Sequence, residues 1–293
     1  MTAVLATPTA PVTDVRRTRR RPSGKLLAGL GIAAVFFVIA VVGPLLTGDP
    51  EALSYDQLQS PSGAHWLGTT NTGQDVLAQL MSATRGSLTI GVLVGVFATA
   101  VSLLIGVVGG YLGGWLDESF SLLSNVFLVL PGLPLVILIT DYTQTKGIMM
   151  IAAIISVTAW AGPARVLRAQ TLSLRNRDYV DAARVAGEPG WRIVVFEILP
   201  NLAPIVAAQF VFAVLGGVLI EVGLAFLGLA GGASGSWGGM LYYALSASAL
   251  PRGAWWWFVP PGLFCALLGT GLSLINFAID ERVNPRLRKE TAQ

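Results

Sequence analysis

The sequence predicts an all-α integral membrane protein of six transmembrane helices with both termini in the cytoplasm, and three observations lead to that expectation. Of 293 residues, 54% are hydrophobic and 12% charged, with a mean hydropathy of +0.68, which is too apolar for a domain whose solvent is water. Apolar runs occupy about residues 26–46, 88–110, 121–140, 147–167, 203–229 and 258–279. At ~1.5 Å per residue, such runs can cross a hydrocarbon core of ~30 Å. Sixteen of the nineteen Lys and Arg residues gather in the tail before residue 26, in the region 165–192 and in the tail after residue 279. An even number of spans puts those three regions on one side, and the excess of cations makes that side cytoplasmic.

In chain order, residues 1–25 form a basic tail ending in Arg16, Arg17, Arg19, Arg20, Arg21 and Lys25. The run 26–46 that follows is too long for the core of a cleavable signal and reads as an uncleaved anchor. Residues 47–86 read as an external loop. Its His65 has no His, Cys or acidic cluster at ligand spacing and reads as a solvated or headgroup-level histidine. The second span carries Gly91 and Gly95, then Gly106, Gly110 and Gly114, spaced by four within each run, with Gly109 and Gly113 beside them, a groove for close helix packing. No GK[ST] follows these glycines, so they do not read as a phosphate cradle. In the third span, Pro131-Gly132-Leu133-Pro134 predicts a bend; in the fourth, Gly162-Pro163 does. Asn125, Gln209, Glu221 and Asn276 are the polar groups inside spans that could line a path, and an ionisable residue such as Glu221 is a functional candidate by default. Glu221 reads equally well as a structural group bonding a neighbouring helix. The cluster Trp255, Trp256, Trp257 and Phe258 reads as an interfacial belt. Cys265 is a lone cysteine in an apolar run and can form neither an internal disulfide nor a metal site. The net charge of +3 does not point to nucleic acid, because the cations sit where spans meet the inner headgroups.

The functional island is Asp178 to Pro200, DYVDAARVAGEPGWRIVVFEILP, between two apolar stretches. Asp178 is the expected N-cap of a short helix, and Gly187-Glu188-Pro189-Gly190 forces its stop. Ala182 with Ala186, and Ala183 with Gly187, make a stripe of small side chains that lets another backbone come close, while Asp181, Arg184 and Glu188 stand on another side. Gly187→Trp is expected to block that approach. Trp191 to Leu199 reads as a second short helix, so that helix, bend and helix lie outside the bilayer.

Asp181-Ala182-Ala183, with Gly187 four residues on and Ile198-Leu199-Pro200 after it, resembles the coupling (EAA) loop of ABC-importer membrane subunits, with Asp181 in place of the usual Glu. The external segments His65-Trp66-Leu67-Gly68-Thr69 and Gly73-Gln74-Asp75 resemble those of the C-type subunits of dipeptide and oligopeptide permeases. Here Thr70, Gln74 and Gln79 replace a family Asp and two family Arg. Glu221-Val-Gly-Leu-Ala-Phe-Leu-Gly-Leu229, Ser236-Trp237-Gly238 and Asn284-Pro285-Arg286-Leu287-Arg288 are similar to further stretches of that family. The resemblance implies an ABC type I importer permease fold: a core over 87–279 with a coupling loop at 171–201 and a cytoplasmic tail at 280–293. It also implies a non-catalytic subunit that lies in the bacterial plasma membrane and forms half of a path for di- or oligopeptides. Its partners would be a second homologous permease, two ATP-binding domains that hold ATP and Mg, and an extracytoplasmic solute-binding protein; this chain would hold no cofactor. Asp178, Tyr179, Asp181, Ala182, Ala183, Arg184, Ala186, Gly187 and Glu188 would then face the ATPase. Nickel, glutathione and other solutes are alternatives within the same family. An ion-coupled secondary transporter would need midplane charges and inverted repeats that the sequence does not display.

Overall fold

The computed structural model describes residues 23–53, 56–143, 147–229 and 235–283. Most of the basic N-terminal tail, Lys146 and the motif Asn284 to Arg288 lie outside the described residues. Among the described residues the chain is helical, without strands: α1 (Gly24–Leu46), α2 (Val76–Leu112), α3 (Gly114–Val129), α4 (Gly132–Tyr142), α5 (Ile148–Ala159), α6 (Ala161–Leu174), α7 (Asp178–Val185), α8 (Gly190–Phe226), α9 (Trp237–Ser246) and α10 (Trp255–Val283). Four of these, α1, α2, α8 and α10, are long and apolar enough to cross a membrane alone. The pairs α3/α4 and α5/α6 pass the same test only jointly, and are bent by 84° and 44°.

The bends follow from proline chemistry. Leu130 is driven to an extended backbone (ψ 133°) by the proline after it, which ends α3, while Pro134 sits in the first turn of α4, where its missing N–H costs nothing. The predicted kink is therefore a near right-angle break. At the second bend Pro163 has no N–H to offer the carbonyl of Ala159, and the axis turns at Trp160.

Three boundaries differ from the sequence expectation. Helix α2 starts at Val76, capped by the Asp75 carboxylate, which accepts from Ala78 N at 3.0 Å; the helix therefore begins eleven residues before the expected start of the core at 87. Trp191–Leu199 is not a separate helix but the start of α8, which runs unbroken for 37 residues. A π-helical turn over Ile193–Ile198, with Leu199 N bonded to Val194 O, lets the helix pass Pro200. Finally, Ser236-Trp237-Gly238 opens a further short helix: Ser236 caps α9 by accepting from Gly239 N at 3.1 Å, and Trp237 is fully buried. Ten residues fall short of a span, so this helix lay below the length signal.

Helix α2 is the centre of the bundle. Its first glycine pair packs on α8, where a Cβ at Gly91 would lie 2.5 Å from Val218 and one at Gly95 2.5 Å from Val214. Lower down, a Cβ at Gly106 would meet the Ala164 carbonyl of α6 at 2.4 Å. The predicted groove is thus occupied, by two different helices. An aromatic core of Phe36, Trp237 and Phe264, edge to face at 5.3–6.1 Å, joins α1, α9 and α10. Of the predicted belt, only Trp255 is well exposed. Trp257 is buried, and Trp256 donates from Nε1 to Thr69 O at 3.2 Å, tying the segment between α1 and α2 to α10.

Candidate functional site

Helix α7 of the island is fixed at both ends by its caps and in the middle by packing. Arg177, not Asp178, is the N-cap residue of α7, and Asp178 is the first helical residue; Asp178 and Asp181 both lie in the first turn, where carboxylates favour the positive end of the helix dipole. At the other end Gly187 has φ +81°, with Gly187 N bonded to Arg184 O (3.0 Å) and Glu188 N to Ala183 O (3.1 Å). These two bonds make a Schellman motif, and only a residue without a Cβ enters that conformation at no cost. Nothing lies within 4 Å of a Cβ placed on Gly187, so the glycine is there for its backbone and not for close approach within the chain.

Val180 is the anchor. It is fully buried among Val107, Leu167, Ile193, Ile198 and Leu202, which come from α2, α6 and α8. Ala183, three residues on, is half-buried beside it, so of the small stripe only Ala183 faces the bundle, while Gly187 is exposed. The opposite arc of α7 carries Asp178, Asp181, Ala182, Val185 and Ala186, all exposed, with Tyr179 at its margin. Val185 is 89% exposed, a branched apolar side chain standing free on a helix whose inner face is satisfied. Arg184 pairs with Asp181 at 2.8 Å and lies 5.7 Å from the Tyr111 ring of α2, and Glu188 pairs with Arg192 at 3.0 Å. Behind the island, Arg175 donates to Gly110 O at 2.9 Å, and Arg168 grips Asp117 with two parallel bonds, one of 2.8 Å, which join α6 to α3.

Val180, Val185 and Tyr111 escaped the reading of the sequence. The two valines are five residues apart and so point to opposite sides of a helix, one inward and one outward. That spacing was the available signal, but composition drew attention to the alanines instead. Tyr111 is distant in sequence and gave none.

The four polar residues considered for a path stand on three helices and differ in burial. Asn125 is exposed on α3, Gln209 is half-buried on α8, and Asn276 is buried on α10. Glu221 is fully buried on α8 and accepts from Ser87 Oγ of α2 at 3.2 Å; Ser87 Oγ in turn accepts from Trp237 N at 3.1 Å. Trp237 Nε1 donates to Thr84 Oγ1 at 3.1 Å, so two hydroxyls of α2 latch the start of α9.

On the segment between α1 and α2, His65 is not solitary: its Nδ1 lies 2.7 Å from Asp75 Oδ2, the same carboxylate that caps α2. Among the described residues no group of three or more His, Cys, Asp or Glu could hold a metal. The absent charges at positions 70, 74 and 79 are replaced by a neutral network. Gln74 N and Thr72 N donate to Thr70 Oγ1 at 3.1 and 3.3 Å, and Gln79 Nε2 donates to Gln74 Oε1 at 2.7 Å.

The comparisons agree with this architecture. The profile of the family described as "Binding-protein-dependent transport system inner membrane component" matches residues 102–289, which include the island and most of the spans. The "Oligopeptide transport system permease protein OppC" of Mycobacterium tuberculosis is 35% identical over 217 residues, covering 73% of this chain and 74% of the relative. The "Dipeptide transport system permease protein DppC" of Bacillus subtilis is 32% identical over 279 residues, covering 92% and 85%. A "Putative peptide transport system permease protein" of Brucella suis is 34% identical over 286 residues, covering 95% and 93%. The chain is a multi-pass protein of the bacterial plasma membrane and belongs to the family of binding-protein-dependent transport system inner membrane components.

Proposed function

We propose that this chain is the non-catalytic membrane subunit of an ATP-driven importer of di- or oligopeptides, spanning the membrane six times with both termini in the cytoplasm. The bent pairs α3/α4 and α5/α6 count as one span each in this reading. The outward arc of α7 docks on a cytoplasmic ATP-binding domain, a second permease supplies the other half of the path, and an external solute-binding protein delivers the peptide. One observation carries the reading: α7 is bolted to three helices by Val180 while Val185, Ala182 and Ala186 stand open on the Arg-rich side. A helix so held transmits force, because ATP-driven movement of the docked domain shifts α2, α6 and α8 together. The peptide substrate is supported by the names of the relatives.

The test is a variant that alters the outward arc alone. Val185→Glu leaves the buried side untouched, so the protein should accumulate in the membrane as wild type does, yet lose substrate-stimulated ATP hydrolysis by the assembled transporter. A cysteine at position 185 should crosslink to the ATPase. Full stimulation in Val185→Glu, with no crosslink, would refute docking at this face.

A further inference from the structure

Helices α1, α2, α8 and α10 enclose a groove of about 710 Å³ that opens on the outside of the bundle. Its walls include Phe37, Val41 and Leu45 from α1, Val92 from α2, Phe210 from α8 and Leu272 from α10. Phe37, Val41, Leu45 and Val92 are all well exposed, so the groove is open to whatever solvates these spans. It is also one leaflet deep. Its α1 wall runs from Ala33 to Leu45, ~18 Å of helix, and its α2 wall from Arg85 to Leu93, ~12 Å, against a hydrocarbon half-thickness of ~15 Å.

Arg85 lies toward the Leu45 end of the groove, one turn along α2 from Met81, which packs on Gly43 of α1. It is exposed, and among the described residues no carboxylate pairs with it, whereas Arg168, Arg184 and Arg192 each have an acidic partner. It lies in the half of the bundle away from Lys25, since α1 starts beside Lys25 and Met81, one turn before Arg85, packs on Gly43 near the far end of α1. An apolar slot one leaflet deep, closed at its headgroup end by an unpaired guanidinium, has the chemistry of a diacyl lipid with a phosphate head. A guanidinium offers paired donors to phosphate oxygens, and the apolar walls take the chain.

We infer that this groove is a binding site for an anionic phospholipid of the leaflet facing away from the Arg-rich side, with an acyl chain along Val41 and Val92 and the phosphate on Arg85. The inference goes beyond the importer reading and needs only that the chain spans a membrane.

The experiment is native mass spectrometry of the protein purified from its membrane in detergent, titrated with phosphatidylglycerol and, separately, with phosphatidylcholine. No nucleotide is added, so failure of ATPase docking leaves the result unaffected. Wild type should bind phosphatidylglycerol the more tightly of the two. Arg85→Gln should weaken phosphatidylglycerol about fivefold, as expected for one cation at a headgroup, and Arg85→Lys should recover most of that. Val41→Trp, which fills the slot from an exposed position, should weaken both lipids. Equal affinity for the two lipids in wild type, or phosphatidylglycerol binding unchanged in both Arg85→Gln and Val41→Trp, would overturn the site. A disulfide between Val41→Cys and another permease chain would overturn it too, by showing the groove to be a subunit interface.

Discussion

Gly187→Ala isolates the backbone role of the residue that ends α7. The native φ is +81°, and an L-residue in the left-handed region is disfavoured by about 1–2 kcal/mol. No atom lies within 4 Å of the added Cβ, so no steric term adds to that figure. The two hydrogen bonds that depend on the conformation, Gly187 N to Arg184 O and Glu188 N to Ala183 O, should open more often by about fivefold for each ~0.95 kcal/mol. Hydrogen exchange of those two amides in the detergent-solubilised protein reads that ratio directly, and coupled ATP hydrolysis should fall in parallel. Gly187→Asn should be milder in both assays, because Asn tolerates this region better. If Ala and Asn gave the same exchange as glycine, or if a bulky residue alone impaired coupling, the glycine would matter for approach by a partner and the backbone argument would fail. Gly187→Trp combines strain with bulk and cannot separate these two causes.

Further outcomes follow from the helix contacts. Gly106→Ala drives a Cβ to 2.4 Å from a backbone carbonyl that cannot retreat, and should lower the thermal midpoint sharply; Gly216→Ala, with nothing within 4 Å, should hold or raise it by up to ~1 kcal/mol of helix propensity. Thr70→Asp puts an unpaired carboxylate at a fully buried position, and Gln74→Arg beside it should rescue; a double-mutant cycle on unfolding should show coupling of about 1 kcal/mol or more. Glu221→Gln retains an acceptor for Ser87 and should leave the ranking of acidic, neutral and basic peptides in uptake unchanged, while Ser87→Val strands Trp237 N and should cost about 1–3 kcal/mol in stability.

How far the sequence foretold this molecule depended on whether a signal was local. The apolar stretches, the glycine groove of α2 and the stop at Gly187 are written in neighbouring residues, and each appears where periodicity and turn chemistry put it. Helix α9 was missed because ten residues carry no span-length signal and its burial comes from packing against other helices, α2 above all being remote in sequence. The continuity of α8 was missed because Pro200 reads locally as a breaker, whereas a widened turn upstream lets the helix pass it. At the island, the small residues were visible but their division between an inner and an outer face was not, since that division is set by which side of Val180 the bundle occupies. The His65–Asp75 contact spans a ten-residue turn whose shape no pairwise spacing reveals.

The two 37-residue helices share a further trait: each has its π-helical turn in the same layer, Leu103–Val108 in α2 and Ile193–Ile198 in α8, and both turns contribute side chains to the pocket that receives Val180. Each rod is ~55 Å long, so swivelling by about 10° around its middle carries either tip through ~5 Å. A loosened ladder is where a stiff rod gives first under torsion, and both rods have that soft joint beneath the same valine. Torque applied at Val180 would therefore enter both shafts at a compliant rung, with most of each rod lying beyond it on the same side.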